Sequence, residues 1–369
     1  MEKRTMCGES VSLLGFGCMR FPTADKKIDF AKTEQMIDEA ISKGVNYFDT
    51  AYPYHGGKSE TVVGEILKKY PRESFYLATK YPPWMLNAPK DLDEIFNTQL
   101  KRLQTGYIDF YLIHSLERGN MDKIKQMKVY EHFAKLKDSG KIRHLGFSFH
   151  DTPDILEGIL EYKQWDFAQV QFNYLDWSYL NAEKCYELLN AHNVPLVVME
   201  PVRGGFLANP APHVTEFINK GGITPAALAL KWAAQFENVK VVLSGMSSPQ
   251  QVAENLALFG NYTKITQKEN DLATEAVKMI TEIKNIPCTA CRYCMECPNG
   301  VDIPELFKVY NHLKAVNDNF RTGITYRNYF GESRKPENCT SCGLCAPKCP
   351  QHIDIPKELA MVKDTLNSI

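Results

Sequence analysis

Between Leu13 and about Phe259, eight short apolar runs alternate with amphipathic stretches, and eight of the eleven cysteines crowd between Cys288 and Cys349. The alternation predicts an α/β fold, a (β/α)8 TIM barrel. The cysteine-rich tail predicts a separate module organised by its thiols. A third observation removes the rival doubly wound sheet. Gly15-Phe16-Gly17-Cys18-Met19 leads into Arg20-Phe21-Pro22, whereas a doubly wound sheet would open its first helix with a glycine-rich phosphate loop. We divide the 369 residues into a barrel over 1–265, a helical linker over 266–285 and the thiol module over 286–369.

The expected strands are Leu13–Gly17, Tyr47–Asp49, Phe75–Thr79, Ile108–Ile113, His144–Phe147, Phe167–Gln171, Leu196–Met199 and Val239–Leu243. Helical patterns between them include Thr33–Ser42, Glu60–Lys69, Leu92–Leu103, Val129–Lys137, Ala182–Asn190 and Pro225–Gln235. Ser59, Thr152-Pro153, Thr224-Pro225 and Ser248-Pro249 read as helix starts, and Gly140 and Gly260 as helix stops. A further helix near Glu269–Ile283 joins the two parts.

Charge and hydropathy exclude several classes. The net charge is −1, so no nucleic acid or other polyanion is expected as a partner. No run of about 18 apolar residues is present, so no membrane span is expected. Met1–Ser10 is charged and lacks an apolar signal core, which points to the cytoplasm. Residues 284–369 hold 11 Lys/Arg against 9 Asp/Glu, so the tail shows no one-signed docking face.

The first cysteine run is Cys288-Thr-Ala-Cys291-Arg-Tyr-Cys294-Met-Glu-Cys297-Pro298; the second is Cys339-Thr-Ser-Cys342-Gly-Leu-Cys345-Ala-Pro-Lys-Cys349-Pro350. Three thiolates at this spacing wrap one corner of a cubane, and the cysteine before proline usually ligates the partner cluster. Two 4Fe–4S clusters are the expected cofactors. Zinc also takes Cys-x2-Cys pairs, but it needs four ligands and gains nothing from further cysteines in series. The first run has two residues before its last cysteine where the usual bacterial spacing has three. The tail also repeats itself. Cys297-Pro-Asn-Gly-Val-Asp302-Ile-Pro304 matches Cys349-Pro-Gln-His-Ile-Asp354-Ile-Pro356, each with an aspartate placed to cap a helix. The long spacer between the runs suits a mainly helical ferredoxin-like module. Cys7, Cys18 and Cys185 stand alone and read as buried thiols.

In a (β/α)8 barrel the chemistry sits at the C-terminal ends of the strands. The polar residues placed there are Asp49, Lys80, His114, Ser148 and Gln169, with Tyr54 five residues after Asp49. A phenol is a poor acid at neutral pH. An adjacent ammonium lowers its pKa, a carboxylate holds the ammonium, and a neutral His can orient a substrate carbonyl. Trp84, Trp177 and Tyr179 read as an aromatic lining, or equally as packing.

These segments resemble the aldo-keto reductase superfamily, in its subgroup with a ferredoxin-like 4Fe–4S tail. The resemblance rests on Tyr47-Phe-Asp49-Thr-Ala-Tyr-Pro-Tyr54, Ala78-Thr-Lys80, Asp109-Phe-Tyr-Leu-Ile-His114-Ser, Gly140-Lys-Ile-Arg-His-Leu-Gly146-Phe-Ser148 and Gln169-Val-Gln-Phe-Asn. It implies Tyr54 as general acid, Lys80 and Asp49 as its tuners, His114 as carbonyl orienter and a reduced nicotinamide across the barrel mouth. It also implies nucleotide contacts from Ser148, Gln169, Met199, Glu254 and Asn255, while Arg203 before Gly204-Gly205 reads as a pyrophosphate contact or equally as a surface arginine. The chain departs from the family in having Ser148-Phe149 for the usual Ser-Asn pair and Met199 for the stacking aromatic. Gly245-Met246-Ser247-Ser248-Pro249-Gln250-Gln251 lacks the Lys and Arg that usually hold a 2′-phosphate. The donor therefore stays open among NADH, NADPH and a flavin. Three functions remain in view. One is a nicotinamide-linked carbonyl reductase; another is a reductase fed through the clusters by a flavin or a ferredoxin-type partner. The last is a redox-sensing regulatory protein.

Overall fold

A computed structural model describes the chain apart from residues 180, 282–285, 289, 291, 296, 317, 318, 320–322, 324, 325, 327–329 and 331. Eight parallel strands close a barrel in chain order: β1 Leu14–Gly17, β2 Tyr47–Asp49, β3 Tyr76–Tyr81, β4 Ile108–Ile113, β5 Ile142–Phe149, β6 Phe167–Gln171, β7 Leu196–Met199 and β8 Val239–Ser244. Each strand pairs with its chain neighbours, and β8 closes on β1 through Leu243 opposite Gly15. Gly15 has to be glycine. A Cβ there would stand 2.6 Å from Val241 Cγ1, inside the packed interior.

The interior is filled by Tyr47, Phe110, Leu112, Phe167, Val197 and Val241, all fully buried. Met6 and Val11, from the antiparallel hairpin Lys3–Met6 and Glu9–Ser12, join the same cluster. The barrel is thus a packed core, which leaves ligands the strand ends.

Three strands run past their expected C-terminal ends, β8 by Ser244 alone. β3 continues through Lys80 to Tyr81, and β5 spans Ile142–Phe149, so Lys80 and Ser148 are strand residues with buried side chains. Strand membership is tolerable because each polar head has a hydrogen-bond partner within the barrel. Ser59 does not cap its helix. It is the first residue of Ser59–Leu67, and its hydroxyl bonds the Cys18 carbonyl at 2.7 Å and Thr50 Oγ1 at 2.9 Å. Ser248 does cap, accepting from Gln251 N, and Gly140 ends its helix at φ +77°.

The chain divides into two compact units. One comprises Met1–Gly205 with Ala226–Asn270, the other Phe206–Pro225 with Asp271–Ile369. In the second unit, helices Ile303–Val316 and Ile355–Asn367 bury Leu306, Phe307, Tyr310, Leu359, Val362 and Leu366 in one small core. The two repeat aspartates differ. Asp354 caps its helix by accepting from Lys357 N, whereas the Asp302 carboxylate pairs with Arg334 and, at 3.6 Å, with Arg292.

Candidate active site and thiol centres

The ends of β2 and β3 bring opposite charges together inside the mouth. Lys80 is only 1% exposed, and its Nζ donates to Asp49 Oδ1 at 2.6 Å and to the Thr50 carbonyl at 2.9 Å. An ammonium this deep would be untenable without such partners. Burial acts to lower Lys80, but Asp49 and Tyr54 more than offset it, so its pKa lies above the usual value. Burial pushes Asp49 upward, against the pull of the Lys80 ammonium and the Gln169 amide.

Tyr54 stands in a tight turn after β2. His55 and Gly56 adopt left-handed conformations there, and His55 Nε2 accepts from Phe21 N at 3.2 Å. The Lys80 Nζ lies 5.0 Å from the centre of the Tyr54 ring, and the two heads interact by charge and hydrogen bond. From the sequence, a lowered phenol pKa is expected. Instead burial raises it, and the Lys80 ammonium only moderates the rise, with Asp49 adding to it. Desolvation wins because a phenolate loses more hydration in this turn than one ammonium returns. The phenol is therefore protonated throughout the neutral range.

His114 follows β4, its ring edge-on to Tyr54 at 5.9 Å and tilted against Trp84 at 5.1 Å. Burial, with Lys80 and His150 adding to it, pushes its pKa down to about 2, so the imidazole is neutral. Its Nδ1 is buried without a hydrogen-bond partner among the described residues. Trp84 is 53% exposed at this rim. Trp177 packs against Phe172, Trp232 and Phe236. The side chain of Tyr179 lies outside the described residues.

Ser148 and Gln169 face one another across the β5–β6 ladder. Ser148 Oγ accepts from Ser115 N at 2.8 Å, and Gln169 Oε1 is a buried acceptor with no partner among the described residues. A primary carboxamide, with two N–H donors, suits such an acceptor. Met199 ends β7, half-buried against the interior. Arg203 donates from Nε to Asp176 Oδ1 at 3.1 Å, and Asp176 is itself held by Asn173 and Gln171 at 2.7 Å each. Nothing in the local pattern marked Asp176, because a lone aspartate after a strand reads as a loop residue. Asn255 Nδ2 donates to Ser244 Oγ at 2.9 Å, and Glu254 accepts from Gln250 one helical turn away. Also unsignalled were Glu60, Gln99 and Arg102, which are linked to one another beside the Tyr54 turn.

The thiols form two groups. Cys288, Cys294 and Cys349 line one cavity with Ile303, Phe307 and Ile355. Cys339, Cys342 and Cys297 stand around Cys345, close enough that each pushes its thiol upward behind the larger effect of burial. Each run's Cys-Pro cysteine thus stands with the other run. Cys291 lies outside the described residues. Among the described residues, no three His, Cys, Asp or Glu side chains converge as ligands of a single metal ion. A cubane takes its thiolates at separate irons rather than at one point.

Comparison with known proteins agrees with this geometry. The family model "Aldo/keto reductase family" matches residues 13–278, and "4Fe-4S dicluster domain" matches residues 287–353. The uncharacterized oxidoreductase YqkF of Bacillus subtilis is 27% identical over 70% of this chain and 90% of its own. The NADH-specific methylglyoxal reductase of Escherichia coli is 28% identical over 60% of this chain and 80% of its own. Among solved structures, the holo form of aldo-keto reductase AKR11C1 from Bacillus halodurans superposes with a TM-score of 0.63 at 29% identity, covering 75% of this chain and 96% of that one. The chain belongs to the aldo/keto reductase family, as an oxidoreductase with a 4Fe–4S dicluster domain that follows the barrel in sequence.

Proposed function

We propose that the barrel reduces an aldehyde or ketone by hydride transfer from a reduced nicotinamide nucleotide, with Tyr54 as the general acid. The observation that carries this reading is the buried Tyr54–Lys80–Asp49 chain beside a neutral His114 at the strand ends. A nicotinamide nucleotide bound at the mouth supplies the hydride to the carbonyl carbon. Tyr54 gives its proton to the carbonyl oxygen, yielding the alcohol, and Lys80 stabilises the phenolate left behind. Asp49 keeps that ammonium in place. His114 bonds the carbonyl oxygen without donating its own proton, because a group that holds no charge above about pH 2 is an orienter. The unpartnered Gln169 acceptor with Ser148 would hold the carboxamide, Met199 the ring, Arg203 the pyrophosphate, and Glu254 with Asn255 the adenine. The name of the Escherichia coli relative favours a small carbonyl and NADH.

The eight cysteines would hold two 4Fe–4S clusters, Cys288, Cys291, Cys294 and Cys349 on one, Cys339, Cys342, Cys345 and Cys297 on the other. Such clusters pass single electrons. One observation supports a second reading, in which the clusters feed the barrel through a flavin or a ferredoxin-type partner. The loop after β8 spends its polar groups on its own helix cap, Ser247 N on Gln251 Oε1 and Ser248 Oγ on Gln251 N, and residues 245–251 carry no Lys or Arg of their own for a 2′-phosphate.

Anaerobic oxidation of NADH and NADPH against a panel of aldehydes tests the first reading. We expect turnover with NADH, and silence with every carbonyl would overturn it. The visible spectrum of the same protein should show a broad shoulder near ~400 nm, and resolved flavin bands would favour the second reading.

A further inference from the structure

One fully buried carboxylate outside the tetrad reaches both halves of the reacting pair. Glu60 is 0% exposed, eleven residues after Asp49 in the helix Ser59–Leu67. Its Oε1 accepts from Thr79 Oγ1 at 2.7 Å and from Gln99 Nε2 at 2.8 Å, and its Oε2 accepts from Arg102 Nη1 at 3.1 Å. Thr79 is the residue before Lys80. Gln99 Nε2 also donates to the Lys80 carbonyl at 3.1 Å, while Gln99 Oε1 accepts from the buried Tyr111 hydroxyl at 2.6 Å. Glu60 therefore holds Thr79 by its hydroxyl and, through Gln99, the Lys80 carbonyl.

The other arm runs to Tyr54. Arg102 Nη1 donates to the Tyr52 carbonyl at 3.3 Å, and its guanidinium lies 4.3 Å from the Tyr52 ring centre, two residues before the phenol. The helix Lys90–Leu103, which carries Gln99 and Arg102, approaches Ser59–Leu67 this closely only because residue 64 is glycine. A Cβ there would meet the Arg102 carbonyl at 2.3 Å. A buried carboxylate costs several kcal/mol of lost hydration unless its lone pairs are filled, and an apolar residue would fill this space more cheaply. What such a residue could not do is grip Thr79, Gln99 and a guanidinium at once.

We propose that Glu60, with Arg102 and Gln99, is the positioning device that fixes the separation of Tyr54 and Lys80. The assignment rests on Tyr54 being the acid, and the test separates the two claims. In the holoenzyme, E60Q keeps the shape but leaves Arg102 without its counter-charge, and R102K keeps the charge but loses the flat fork that reaches Tyr52. Under the proposal kcat falls about 10- to 100-fold in E60Q and less in R102K. The dissociation constant of NADH, read by fluorescence, stays within about twofold in both. The alkaline limb of the kcat–pH profile moves up, because Tyr54 has lost part of the ammonium that moderates it. In a Y54F background, E60Q causes no further loss, since Glu60 acts only through Tyr54. If E60Q lowers the folded fraction but, per folded molecule, leaves kcat and the pH limb at wild-type values, Glu60 is a stability residue and the proposal is overturned. Losses from E60Q and Y54F that multiply would overturn it as well. If Y54F itself turns over normally, the reading of Tyr54 as acid is what fails.

Discussion

The barrel and the thiol module meet the same problem, holding reactive groups in fixed geometry, by opposite means. In the barrel the chain supplies everything. The strands deliver Asp49, Lys80 and Ser148 as ladder residues, and each is paired within the protein. In the module, two helices share a small apolar core, and Cys288, Cys297, Cys339, Cys345 and Cys349 sit against it, half-buried. On the proposed reading, the chain there supplies only the ligands, and the clusters they hold complete the packing. A site built from paired side chains should survive removal of its cofactor. A fold built around one should not.

The largest expected effect lies at the phenol. Y54F should lower kcat for carbonyl reduction by about a thousandfold while NADH still binds, as a fluorescence titration would show. If an ordinary rate survives, the pre-built site has some other acid. Next comes the module. Chelating the iron under oxidising conditions should abolish its helical unfolding transition yet move the barrel's by no more than a few degrees in a thermal scan. An unchanged module transition would erase the contrast between the units.

The His114 imidazole sharpens the barrel side through pH. Its folded-state pKa, about 2, lies below the ordinary value, so between these two the unfolded chain binds the extra proton. Stability present above about pH 6.5 is therefore lost as pH falls, by up to ~1.4 kcal/mol per pH unit. Urea unfolding at several pH values should show this slope in the native chain and a shallower one in H114Q. The smallest effect is expected at the rim. W84A should raise KM for an apolar aldehyde by about 3- to 10-fold with kcat nearly unchanged, the signature of lost uniform binding.

Much of this contrast was legible in the residues. β2, β4, β6 and β7 match their sequence spans to the residue, because strands covered on both faces are short and mostly apolar, with few polar residues such as Asp49, Asp109 and Gln169. β3 and β5 run past their expected ends because Lys80 and Ser148 look like loop residues until their partners are known. The phenol's raised pKa was illegible for a related reason. Counting charges gives the pull of Lys80, but desolvation needs the turn that buries Tyr54. Glu60 and Arg102 are 42 residues apart, on two helices whose contact depends on Gly64. No periodicity could announce that pair. The cysteines were legible because ligand spacing is local, and the Cys-Pro signature already pointed Cys297 to the second run and Cys349 to the first, as the structure groups them.

The most direct measurement is isotopic. The anaerobically purified protein is mixed with NADH carrying deuterium at the transferable position and a reducible aldehyde, and the alcohol is analysed by mass spectrometry. The account predicts one deuterium per alcohol from the native chain, and almost no alcohol at all from Y54F. An alcohol that carries no label, formed only when the clusters are reduced by dithionite, would contradict it.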